Sequence, residues 1–152
     1  MGVIVFMFNF KLQSALNYRK SIEEKKLVDF SEGKKLLEKE IKTLEAILSE
    51  QAELLGQLKK MQGGHFNAAD VALYLSYIEL FKEKKNHQQE VVQKASREVD
   101  AQREALLESV KNRKSMDVLK ERQFQEYQEN MAAFERRTAD ETAVLRFARR
   151  NK

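Results

Sequence analysis

The groups in this 152-residue sequence that could do chemistry are two histidines, a Gly-Gly pair and many scattered carboxylates. His65 and His87 do not stand at a metal-ligand spacing, and no cysteine accompanies either one. Gly63-Gly64 lacks both the following Lys-Ser/Thr pair and the preceding strand that a phosphate-cradling loop requires, so it reads as a turn. The absence of cysteine excludes disulfides, thiolate metal sites and cysteine nucleophiles, and no residue pattern calls for a cofactor. The acidic residues lie among bases along helix surfaces and do not converge, so the sequence reads as non-enzymatic.

What remains is the chemistry of surfaces. At the carboxyl end Arg136, Arg137, Arg146, Arg149, Arg150 and Lys152 face only Asp140 and Glu141, a local excess of positive charge. Such an end can dock an acidic surface, and it also suits the dipole of a helix C-terminus. The whole chain carries 28 basic and 24 acidic residues for a net charge of +4, with both signs mixed, so nucleic acid is not an expected partner.

These surfaces need long helices to carry them. With 34% charged residues, five Gly and no Pro, the composition lets helices run without a forced break. From residue 10 to residue 61, Leu27, Phe30, Leu37, Ile41, Leu44, Leu48, Leu55 and Leu58 fall in steps of three and four, with Lys34 and Gln51 as gaps. That 3.5-residue repeat is the seam of a left-handed coiled coil. Residues 62–67 form a turn, in which the paired glycines suit a left-handed helix end and Asn67 suits an N-cap, with Asp70 in the first turn and Phe66 stapled onto Val71.

A second helix over about 68–148 carries Val71, Tyr74, Ile78, Phe81, Val92, Ala95, Val99 and Leu106 on one ladder, with Lys85, Gln88 and Gln102 as polar rungs. The pattern weakens through Val110, Met116 and Leu119, and a stutter is expected near residues 109–123 before Phe124, Tyr127, Met131, Phe134 and Leu145. The fold expected is all-α, a single domain formed by an antiparallel two-helix coiled coil. At about 1.5 Å per residue the helices would run roughly 75 to 80 Å and roughly 120 Å, which leaves part of the second uncovered by the first. The amino-terminal segment and a partner protein that takes Phe134, Leu145 and Phe147 are the expected covers.

Three stretches resemble the FliJ family of soluble flagellar type III export components. Phe8-x-Phe10-x-Leu12-x-x-x-Leu16-x-x-Arg19 resembles that family's opening, and Tyr74-x-x-Tyr77-Ile78-x-x-Phe81 resembles the aromatic stretch of its second helix. Leu119-Lys120-Glu121-Arg122, then Tyr127, Glu135 and Asp140-Glu141 before Arg146, is similar to its carboxyl-terminal helix. The resemblance implies a non-enzymatic stalk or adaptor that binds the hexameric flagellar export ATPase, binds the cytoplasmic domain of the export gate and escorts export chaperones. It also implies a cytoplasmic protein, peripheral at the inner membrane beneath the flagellum. The family's gate contact maps onto Tyr77, Phe81, Lys84 and Gln88, although Lys84 replaces a small apolar residue and Phe81 also fits the seam. The ATPase contact is assigned by charge and position to Arg146, Phe147, Arg149 and Arg150.

The apolar opening Met1-Gly2-Val3-Ile4-Val5-Phe6-Met7-Phe8 lacks a basic start and falls short of the about 20 residues of a membrane span, so no insertion is expected. Met7, just before the Phe-x-Phe pair, is the expected true start, with residues 1–6 dispensable. Two other readings keep the coiled coil: the equivalent stalk of an injectisome, and a general cytoplasmic scaffold.

Overall fold

Helix-forming residues fill the chain and no proline removes a backbone donor, so each helix continues until its sequence supplies an end. The computed structural model describes residues 7–61, 64 and 67–150, and among them it contains two α-helices, α1 (Gln13–Met61) and α2 (Ala68–Arg150). They pack against each other as an antiparallel coiled-coil hairpin. α1 starts three residues later than the sequence suggested, because residues 7–10 stay outside the helix and Phe10 O accepts a turn bond from Gln13 N at 3.0 Å. α2 runs two residues past the expected end, with Arg149 and Arg150 in its last turn, where cations suit the carbonyl dipoles.

The turn follows the expected logic at Asn67. Its carbonyl accepts from Asp70 N (3.0 Å) and Val71 N (3.3 Å), and its Oδ1 accepts from Ala69 N at 3.5 Å. Gly64 N donates to Met61 O at 3.0 Å, but Gly64 does not adopt a positive φ, so the left-handed helix end expected of the pair is not seen there. Gly63, His65, the Phe66 staple, residues 1–6 and Lys152 lie outside the described residues.

The chain divides into two compact units: a hairpin unit, Glu24–Glu108, and a terminal unit, Met1–Glu23 with Ser109–Lys152. In the hairpin unit α2 presents the expected ladder, from Tyr74 through Phe81, Gln88, Ala95 and Gln102 to Leu106, while Val71 at its start stays exposed. α1 departs from expectation at every second rung. Phe30, Leu37, Leu44, Gln51 and Leu58 face inward as expected, but the rungs between them are Gly33, Glu40, Ile47 and Leu54 rather than Lys34, Ile41, Leu48 and Leu55. The doublets Ile47-Leu48 and Leu54-Leu55 place apolar residues on both candidate stripes, so counting them cannot choose between the two.

Polar rungs make the choice visible. Gln88, 8% exposed, donates Nε2 to Glu40 O at 3.0 Å and to Glu40 Oε2 at 2.7 Å. The Gln102 carboxamide fills the notch left by the missing side chain of Gly33, where a Cβ would stand 2.0 Å from Gln102 Oε1. That buried oxygen accepts no hydrogen bond from any described residue, which costs about 1–3 kcal/mol.

The terminal unit is closed differently. Phe10 (4% exposed), Leu16 (1%) and Met116 (8%) form its core, with Phe8 packed against them. The Phe8 ring lies 5.2 Å from Phe124, edge on, and 5.6 Å from Tyr127. Thus the amino-terminal segment does cover part of α2 beyond the start of α1. Alongside this hook run polar cross-links: Lys120 Nζ donates to Gln13 Oε1 (2.9 Å), and Arg19 Nη1 donates to Asn112 O (2.7 Å). Arg113 bridges Glu23 and, at 2.5 Å, Asp117. Hydrogen bonds to Glu23 and then Asp117 hold the Arg113 guanidinium above its ordinary pKa.

The expected stutter is not seen. Partly buried positions continue as Ser109, Arg113, Met116, Lys120, Gln123 and Tyr127, in alternating steps of four and three. The apolar pattern fades there because polar and charged residues occupy facing positions, not because the phase shifts.

Candidate protein-binding surfaces

Two stretches of helix expose apolar side chains beyond what packing uses. The first lies in the hairpin unit at the start of α2, where each seam residue is preceded by another apolar residue: Leu73-Tyr74, Tyr77-Ile78 and Leu80-Phe81. The second member of each pair turns inward. The first members, Leu73 (55% exposed), Tyr77 (45%) and Leu80 (44%), form an outer stripe that continues to Lys84 by helical spacing. Leu73, Tyr74 and Tyr77 also border an open cleft of ≈580 Å³ with Leu54, Gln57 and Met61 of α1. Tyr74 is fixed in this cleft by its hydroxyl, 2.8 Å from Met61 Sδ.

The four gate residues named from sequence therefore separate into two pairs. Tyr77 and Lys84 point outward, and Lys84 Nζ sits 5.4 Å from the Phe81 ring centroid. Phe81 is half-buried in the seam, and Gln88 is buried on Glu40. A partner could reach the first two without opening the hairpin, but not Gln88. Leu73 and Leu80 were missed by sequence reasoning, although the doublets themselves were the available signal.

The second stretch is the end of α2, in the terminal unit. Every residue from 135 to 150 is exposed, and Phe134 (58%), Leu145 (60%) and Phe147 (69%) leave most of their surface open. Arg146 neighbours Arg149 and Arg150 at three- and four-residue spacing, and Phe147 neighbours Arg150, so these four form one broad patch rather than a narrow stripe. A shallow groove of ≈420 Å³ runs from Phe134 past Thr138 and Thr142 to Arg146. Thr138 and Thr142 turn their hydroxyls back to the carbonyls of Phe134 (2.9 Å) and Thr138 (2.7 Å), leaving small, largely apolar flanks along it.

This surface can offer positive charge, aromatic area and guanidinium donors to an acidic partner. Among the described residues no group of three His, Cys, Asp or Glu could hold a metal ion, and no helix is long and apolar enough to cross a membrane.

Comparison with known proteins gives a consistent result. The family described as "Flagellar FliJ protein" matches residues 8–152. Among solved structures the chain is similar to a proposed YscO homolog, CT670 of Chlamydia trachomatis, with a TM-score of 0.65 and 23% identity, over 91% of this chain and 94% of that one. Curated protein sequences give no match.

Proposed function

The chain belongs to the flagellar FliJ family, a family of non-enzymatic export components, and on that premise we propose that it is a stalk or adaptor of flagellar type III protein export, itself without catalytic activity. The bare, basic end of α2 is the observation that carries the proposal: a helix with sixteen consecutive exposed residues, 135–150, and aromatic side chains among arginines is built to be covered by another protein. Its occupant is the hexameric export ATPase, held through Arg146, Phe147, Arg149 and Arg150. The cytoplasmic domain of the export gate takes the outer stripe of the hairpin unit, with Tyr77 and Lys84 in contact and Phe81 and Gln88 shaping the seam behind them. Leu73 and Leu80 extend that contact. Escort of export chaperones and a cytoplasmic location, peripheral at the inner membrane, belong to the same reading.

The test is ATP hydrolysis and ring assembly by the cognate export ATPase, with the full chain and with a truncation ending before Arg136. Promotion by the full chain alone supports the carboxyl-terminal contact. If neither form has an effect and neither binds, the stalk reading fails. Tyr77→Ala and Leu80→Ala should weaken gate binding and leave the ATPase response intact.

A further inference from the structure

Within the hairpin unit α1 carries two apolar stripes and turns the poorer one toward α2. The facing stripe interrupts its apolar residues with Lys26, Gly33 and Glu40, besides the Gln51 common to both. One residue further round the helix, Leu27, Lys34, Ile41, Leu48 and Leu55 recur at a strict seven-residue interval. Four of them are left outside, Leu27 at 54% exposure, Ile41 at 38%, Leu48 and Leu55 at 42%. A sustained seven-residue interval follows a supercoiled seam, because on a straight helix the stripe would drift by about 20° per heptad. Both stripes share Phe30, Leu37, Leu44, Gln51 and Leu58, so exchanging them needs a rotation of α1 of about 50°, half the step between neighbouring residues.

Apolar burial favours the stripe that is left out. Gln88 opposes it. In the observed state its carboxamide donates to both the carbonyl and the carboxylate of Glu40. After the rotation Ile41 would stand in place of Glu40, and a carboxamide that is 8% exposed would be buried against a side chain that cannot accept from it. Gln102 does not oppose the rotation, since its Oε1 is already unpaired against Gly33, and Lys34 would bring a donor toward it.

We propose that the Gln88–Glu40 pair selects between two rotational states of α1, making the hairpin unit a two-state element. Release of this one pair turns the Leu27–Leu55 stripe inward. The outer face of α1 then changes from apolar to one that carries Glu40.

Because the chain contains no cysteine, single introduced thiols report the rotation. Ile47→Cys and Leu48→Cys, made separately in the full chain, sit on the inward and outward stripes respectively. In the otherwise native protein the thiol at position 48 should react several-fold faster with a water-soluble maleimide than the one at position 47. In a Gln88→Leu background of native helicity the order should invert. Adding Glu40→Leu to that background should restore the native order, since the observed seam is then apolar as well. Gln88→Ala, which adds no bulk, replaces Gln88→Leu if the latter does not fold. An unchanged order in Gln88→Leu, equal reactivity at both positions, or inversion that survives Glu40→Leu would each overturn the proposal.

Discussion

In the hairpin unit the two helices meet through Phe30, Leu37, Leu44, Ile78, Phe81 and Val92, and the polar rungs beside them are uncharged glutamines apart from Lys26, Glu40 and Lys85. In the terminal unit the same two helices meet through an aromatic hook beside three cross-links, each involving Lys or Arg. The contrast teaches that a coiled coil can be closed with few buried apolar seam residues, here Leu16 and Met116, where a third piece of chain supplies further burial. Phe8 and Phe10 supply it here, which frees positions 113 and 120 of α2 to carry charge.

The sharpest way to break this comparison is to remove the hook's anchor. Leu16→Ala should destabilise the protein by about 2–5 kcal/mol in chemical denaturation, since it empties the most buried position described. The loss should appear first in amide exchange of residues 109–131. Arg113→Ala should lower stability and should remove part of its salt dependence, because the ion pairs it makes are only partly screened from water. An Arg113 variant with an unaltered salt profile would mean that these cross-links ornament the hook without holding it. On the other side of the comparison, Gln102→Leu should stabilise the hairpin unit by about 1 kcal/mol by removing a buried acceptor without a partner, read as a raised Tm that does not depend on salt.

The smallest effect concerns pH. Glu38 lies 2.9 Å from Lys42 on the exposed face of α1, and the hydrogen bond and charge of Lys42 hold its pKa below the ordinary carboxylate value. The sign follows from that lowering: the contribution is present above the unfolded-state pKa and is lost as pH falls through the folded one. Lys42 shifts the other way, upward, for the same reason, so its contribution is lost only as pH rises through its raised value. Glu38→Gln should therefore flatten the acid limb of the stability curve slightly and leave the salt profile of the terminal unit unchanged.

The α2 ladder in the hairpin unit was legible in the sequence because past Leu80 the residues that precede its seam positions, such as Lys84, His87, Lys94 and Glu98, are mostly polar and offer no competing frame. The α1 ladder was legible only at every second rung, since apolar doublets support either frame and the deciding contact is the bond from Gln88 to Glu40. The cross-links of the terminal unit were hidden for another reason. Any of many charged residues could pair, and only the fold brings Glu23 to Arg113 across 90 positions of sequence. The basic patch at the end of α2 was plain from charge alone, whereas the outer stripe of Leu73 and Leu80 was masked by the seam residues beside it.

The hook also orders events during synthesis. Phe8 and Phe10 are made more than a hundred residues before Met116, Phe124 and Tyr127, on which they pack. The nascent chain can zip its hairpin unit from the turn, using near-neighbour contacts such as Tyr74 to Met61, while its leading aromatics wait unpaired. The carboxyl-terminal half of α2 thus serves as the docking site for a segment made more than a hundred residues earlier, and burial of that segment reports that synthesis has passed Tyr127.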